Sequence, residues 1–279
     1  MLKQLKVRIR MTGLLFIAGL LLASCSATNE QPGENSLSAS SGSVASEAPP
    51  TAAPVSNEPD FKPEQLASIP GKDIYLYSQQ SEGVTLQVGE KEQSFDWIYA
   101  TPRNIPPHMK ALDYDGDGED ELAVDLYMGS GTGVSVEQLR VVELNDTGLE
   151  NGHFFKDHVY IPDVYLGQLH DAVAFSLSKA DDALSGLITI GDHLYTVNLE
   201  PYETPDLGSI NEGLVFGSIV RFSFEDKVIK AEFGSGITAG SAVSPTYIGV
   251  IQGDVLYSDG QFQLTNIQFA ETDSIQIEH

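Results

Sequence analysis

Between Asp113 and Glu121 the chain reads Asp-Tyr-Asp-Gly-Asp-Gly-Glu-Asp-Glu, with a carboxylate at every second position. If this stretch is a compact loop, Asp113, Asp115 and Asp117 point inward together. Two unit charges about 4 Å apart repel by roughly 4 kcal/mol at an effective dielectric of about 20. Several such pairs in one turn drive it open unless a cation sits among them. The chemistry is therefore that of a hard cation bound by oxygen. Calcium, which accepts six to eight oxygens in an irregular shell, fits better than magnesium, which demands near-octahedral geometry. Gly116 and Gly118 supply the backbone freedom that a tight wrap needs. The competing reading is a solvated acidic turn between two strands.

The residues after the loop separate it from its relatives. An EF-hand places Glu at loop position twelve and continues into a helix. Here position twelve is Val124, and Glu121-Leu122-Ala123-Val124-Asp125-Leu126 has the character of a strand. The pattern Asp-x-Asp-Gly-Asp-Gly-x-x-(Asp/Glu)-Leu running into a strand resembles the FG-GAP/VCBS calcium loop of integrin-type β-propellers and many exported bacterial proteins. That resemblance implies side-chain oxygens from Asp113, Asp115, Asp117 and Glu121, and a backbone carbonyl from Glu119. Glu121 stands where the family usually has Asp. The likeness extends from about Met109 to Leu144 and also takes in single-loop, VCBS-repeat-containing lipoproteins of Gram-positive bacteria. Propellers of the family repeat the loop in several blades. This chain carries it once, which argues against a full propeller.

Motifs for catalysis are sparse. There is no Gly-x-Ser-x-Gly elbow, no His-Glu-x-x-His, and no Ser-x-x-Lys followed by Lys-Thr-Gly. His153 and His158 flank Phe154-Phe155-Lys156-Asp157 at a spacing that fits no familiar zinc pattern, so the segment reads as a mobile loop. His170-Asp171 is a weak base-orienter pair. A glycosidase needs two facing carboxylates, and so acidic a chain offers too many pairs for any to be singled out. Catalytic residues are accordingly assigned to none. Tyr75, Tyr77, Trp97 and Tyr99 would form a sugar-stacking platform if they faced solvent, but packing of one sheet face is the favoured reading.

The N-terminus looks like an export signal. Lys3, Lys6, Arg8 and Arg10 precede thirteen almost entirely apolar residues, Met11 to Ala23. That run is too short for a bilayer span, which needs about 20 residues, but it suits a signal-peptide core. Leu22-Ala23-Ser24-Cys25 resembles the bacterial lipobox, which implies cleavage before Cys25 and diacylglyceryl attachment to it. Two acyl chains are enough for stable anchoring. Cys25 is the only cysteine, so a disulfide within the chain is excluded. Residues 26–60 contain no Lys, Arg or aromatic residue and are rich in Ser, Ala, Pro and Glu. Such a segment cannot bury enough apolar surface to order itself, so it reads as a disordered tether. The expected organisation is a signal peptide over 1–24, the lipidated Cys25 and linker over 25–60, and a globular domain over 61–279.

The elements that must position the acidic loop read as β. Candidate strands are Ile74–Tyr77, Val84–Val88, Ser94–Tyr99, Met109–Leu112, Leu122–Met128, Val134–Leu144, Val173–Leu177, Leu187–Ile190, Leu194–Leu199, Ile219–Phe224, Val228–Phe233, Tyr247–Tyr257 and Phe262–Phe269. Hairpin signals lie at Gly89-Glu90-Lys91, Gly191-Asp192, Glu225-Asp226 and Ser258-Asp259-Gly260. Helical periodicity is weak and confined to Pro63–Ser68. Two Gly-rich stretches, Tyr127–Gly133 and Phe233–Gly240, echo each other and read as bends where strands cross closely. The expectation is an all-β domain around a single core, an antiparallel sandwich or a partial propeller-like sheet array.

The balance of 40 acidic to 15 basic side chains gives a net charge of −25 and argues against a nucleic-acid partner, which would call for Lys/Arg clusters. The sequence thus points to a lipid-anchored protein on the extracytoplasmic face of the cell membrane. Its expected cofactor is one structural calcium, and its expected role is a binding or adhesion-type module for a protein or a cell-wall polysaccharide. An accessory subunit of an envelope complex and a cell-surface hydrolase are the rival readings.

Overall fold

A computed structural model describes residues 61–99, 105–145, 153–180, 183–203, 208–240, 242 and 244–271. The signal peptide, Cys25 and the tether lie outside the described residues. So do residues 100–104.

Short runs rich in Val, Ile, Tyr and Phe, punctuated by Gly and Asp turns, fold into three sheets. The first has the order β1-β2-β3-β4, with β1 at Gln65–Ile69, β2 at Ile74–Ser78, β3 at Val84–Val88 and β4 at Lys91–Phe95. The largest is eight-stranded. It contains β5 (His108–Leu112), β6 (Glu121–Gly131), β7 (Val134–Glu143), β8 (Lys156–Val159), β12 (Ile219–Glu225), β13 (Val228–Ile237), β14 (Thr246–Ser258) and β15 (Gln261–Glu271). Its order is β15-β14-β13-β12-β7-β6-β5, with β8 also on β7. The third sheet has the order β11-β10-β9, from β9 (Val173–Ala180), β10 (Ala183–Ile190) and β11 (His193–Asn198). Among the described residues one α-helix, α1 (Pro162–Ala172), sits between β8 and β9.

The fold is all-β, as expected, with antiparallel sheets packed on one another. One pairing departs from the rule: β7 and β12 run parallel, over only Ser135/Ile219 and Val136/Val220. The expectation of a single core is corrected. Alternation along β6 sends Leu122, Val124 and Leu126 into a core shared with Ile74, Leu76, Val84, Leu86 and Trp97 of the first sheet and its neighbours. Ala123 of the same strand joins a second, larger core with Leu139, Leu169, Ile188, Phe222, Phe233 and Ile251. β6 and β7 are therefore buried on both faces, which explains the near-continuous apolar run at 122–127.

Three further expectations are revised. Pro63–Ser68 is not helical, because residues 65–69 pair antiparallel with β2. The third candidate strand is shifted: β4 is Lys91–Phe95, and Trp97 and Tyr99 lie beyond it. The segment around His158 is not a loop, because β8 bonds to Arg140–Glu143 of β7. The two Gly-rich stretches take different places in the sheet. Tyr127–Gly133 turns back as the β6–β7 hairpin, whereas Phe233–Gly240 ends β13. Close approach does hold at Gly234, where a Cβ would come within 2.8 Å of Ile219 and 2.9 Å of Tyr247.

Candidate metal centre

The acidic loop connects β5 to β6, two strands in register from Leu112/Glu121 to His108/Asp125. It winds by short bonds from its own carboxylates to its own backbone. Asp113 Oδ1 accepts the N–H of Gly116 at 2.7 Å, Asp115 Oδ1 that of Asp117 at 3.1 Å, and Asp117 Oδ1 that of Glu119 at 2.7 Å. Asp is suited to this because its short side chain reaches the backbone two or three residues on. Gly116 and Gly118 take positive φ, +83° and +96°, which other residues adopt only with strain.

The result is a convergence. One carboxylate oxygen from each of Asp113, Asp115 and Asp117 falls in a group whose members all lie within 4.8 Å of one another. These three could hold a metal ion. Asp113 is partly buried and the other two are exposed. The donors are all hard oxygens, with no His or Cys among them.

The side chains of Glu121 and Glu119 have hydrogen-bond partners of their own. Glu121, only 4% exposed, uses Oε2 to accept the N–H of Tyr114 at 2.7 Å. Burial raises its pKa, and the charges of Asp115 and Asp117 add to this against the pull of the Tyr114 N–H. The Glu119 carboxylate takes a hydrogen bond from the Asn145 side-chain amide. Asp120, not among the expected ligands, pairs with Lys72, and Lys227 Nζ lies 4.0 Å from Asp113 Oδ2.

Two further acids border the loop. Glu143 pairs in register with Glu121 across β6–β7, and Asp259 comes from the β14–β15 turn; both line the same open depression as Asp115, Asp117 and Glu119. No local motif marks them, since only the strand pairing brings them there. Glu143 is held by the Tyr257 hydroxyl, which donates to Oε1 at 2.7 Å, and His158 Nε2 lies 3.0 Å from the same oxygen.

The remaining chemistry-bearing residues are dispersed. His170 lies in the last turn of α1 with its ring 5.5 Å from that of Phe216. His153 begins the segment leading into β8. The four aromatics do not make one platform. Trp97 is 1% exposed and Tyr99 packs partly buried against the same core. Tyr75 and Tyr77 stack with ring centroids 6.3 Å apart and alternate with Ile74 and Leu76, which face the core.

Comparison with protein-family models, with curated proteins and with solved structures finds no match to this chain.

Proposed function

We propose that this chain is a lipid-anchored, extracytoplasmic protein whose β domain is a binding or adhesion-type module stiffened by one structural calcium at residues 113–121. The observation that carries the metal reading is the convergence of Asp113, Asp115 and Asp117 carboxylate oxygens within 4.8 Å. An all-oxygen donor set on a loop wound by its own backbone suits calcium over the transition metals, which favour imidazole and thiolate. Such an ion joins the end of β5 to the start of β6, so its role is to clamp the loop. The export reading rests on the cations at 3–10, the apolar run and Leu22-Ala23-Ser24-Cys25. With Cys25 acylated, the tether over 26–60 would hold the β domain off the membrane.

The test is capture. The full chain carrying Cys25→Ser, immobilised in calcium, is offered purified cell-wall polysaccharide, host-surface protein and solubilised cell envelope. Retention of the glycan or of an exogenous protein supports the binding module. Retention of envelope proteins alone favours an accessory subunit and contradicts it. In parallel, wild-type cells fed a labelled fatty acid should incorporate it into the chain, and Cys25→Ser should abolish the label.

A further inference from the structure

The short parallel pairing of β7 and β12 marks the place where β12 leaves the ladder and crosses the face of β5–β7. Two residues past the last pair, the Phe222 N–H is taken by a side chain, Glu137 Oε2, at 2.7 Å. Two residues further, Lys110 Nζ donates to Phe224 O at 3.2 Å, and the His108 ring stacks on Phe224 with centroids 5.0 Å apart. The crossing strand is thus fastened by side chains of β5 and β7 where the main-chain ladder stops.

Beneath that crossing lies Asp125. It stands opposite Leu139 on β7, one step along the same face from the Tyr127/Glu137 pair. The register sets its carboxyl beside that of Glu137, close enough to share a hydrogen bond. Asp125 Oδ1 is buried with no partner. Two half-buried carboxyls side by side do not readily ionise together. A buried oxygen without a partner is also far less costly on a neutral acid than on a carboxylate.

We propose that Asp125 and Glu137 hold one proton between them and act as a pH-sensitive clasp that fastens β12 across β5–β7 and loosens as pH rises above neutrality. While the proton is present, Asp125 donates to Glu137, and Glu137 keeps its second oxygen on the Phe222 N–H. When it leaves, two adjacent anions repel, and the Glu137 side chain is pushed off the position that holds β12.

The electrostatics run the same way. Burial first, then the charge and hydrogen bond of Glu137, push the Asp125 carboxyl up to about 8. Burial also raises Glu137, against the Phe222 N–H, the Asp125 bond and Arg221, while Glu232 adds to the rise. The charged groups around the pair are His108 and Lys110 from β5, Arg221 from β12 and Glu232 from β13. An unfolded Asp titrates near 3.9. The folded chain therefore keeps a proton that the unfolded chain has lost, and this stabilisation fades as pH rises from about 4 through about 8.

The experiment is thermal unfolding of the full chain and of Asp125→Asn, both in chelator, across about pH 6 to about pH 9. Asparagine keeps a donor to Glu137 and has no proton to lose. The readout is the difference between the two proteins. The variant should gain on the wild type as pH rises, by about 5 °C in Tm over the range. Hydrogen exchange at the Phe222 amide, corrected for its intrinsic rate, should lose about tenfold protection in the wild type, equivalent to about one pH unit of linkage, and little in the variant. Parallel Tm profiles would overturn the clasp. Should Asp125→Asn not fold, Glu137→Gln, which keeps an acceptor for Phe222 and removes the charge beside Asp125, must show a shallower fall in Tm with pH than the wild type. The wild type itself must also show the infrared band of an un-ionised carboxylic acid at neutral pH, and its absence would contradict the proposal.

Discussion

The main-chain N–H of Tyr114 donates to Glu121 Oε2 at 2.7 Å, tying the second residue of the acidic loop to the residue that begins β6. With the three internal Asp bonds, this winds the loop through its own side chains.

Glu121 should therefore matter even without metal. Glu121→Ala removes the acceptor of the Tyr114 N–H and is expected to cost about 1–3 kcal/mol in chelator. Asp115→Ala with Asp117→Ala relieves repulsion among exposed carboxylates and should cost far less under the same conditions. Urea unfolding of both proteins in chelator makes the comparison. Equal losses would mean that Glu121 is not the anchor of the loop.

The pH response of the loop stems from the raised Glu121 carboxyl. Without metal, the folded chain binds a proton on Glu121 more readily than the unfolded chain, so this group favours folding increasingly as pH falls from neutral through its raised value. Calcium requires the carboxylate and opposes that protonation. The calcium-induced rise in Tm should consequently shrink in mildly acidic buffer. A calcium increment that grows as pH falls would contradict this assignment.

Trp97 reports a different joint. Its indole Nε1 donates to Asp157 Oδ2 at 2.8 Å, the Arg140 guanidinium lies 5.1 Å over its ring, and Arg140 pairs with the same carboxylate. Asp157→Ala leaves a largely buried cation and a buried indole N–H without partners, at an expected cost of about 3–5 kcal/mol. Trp97 is the only tryptophan, so denaturant unfolding monitored by its fluorescence reads this site directly. A loss within about 0.5 kcal/mol of wild type, the range of an ordinary surface substitution, would show the joint to be unimportant.

Two glycines should respond oppositely to alanine. At Gly249 a Cβ would lie 2.4 Å from the Phe269 ring and 2.5 Å from Ala270 O, so Gly249→Ala should destabilise by about 1–3 kcal/mol. At Gly167, inside α1, nothing lies within 4 Å, and Gly167→Ala should stabilise by about 0.5–1 kcal/mol. Thermal unfolding of both variants gives the signs. Destabilisation by Gly167→Ala would count against the helix.

That helix is where sequence reasoning ran shortest. Only Tyr165 and Leu169 of α1 are buried, Gly167 interrupts its pattern, and Pro162 at its first turn was the available signal. Gln65–Ile69 has no alternation to speak of and becomes a strand because β2 presents an edge to it. β8 carries Lys156, Asp157 and His158, which look solvated in sequence but meet Glu143, Arg140 and Trp97 in the fold. Long apolar runs such as Leu122–Tyr127, and turns such as Asp259-Gly260, were legible because alternation and positive-φ residues are local signals. The Asp113, Asp115 and Asp117 convergence was legible for the same reason, being contained in five consecutive residues. Glu143 and Asp259 beside it were not, because strand pairing alone brings them near.

The most direct test of the calcium clamp is thermal unfolding of the full chain with about 1 mM free calcium against chelator, repeated on Asp115→Ala with Asp117→Ala. For a dissociation constant of about 10⁻⁴ to 10⁻³ M, the ion should add about 0.4–1.4 kcal/mol, a rise of roughly 1–5 °C in Tm. The double variant should show no rise. An equal rise in the double variant, or none in the wild type, would contradict a calcium clamp at residues 113–121.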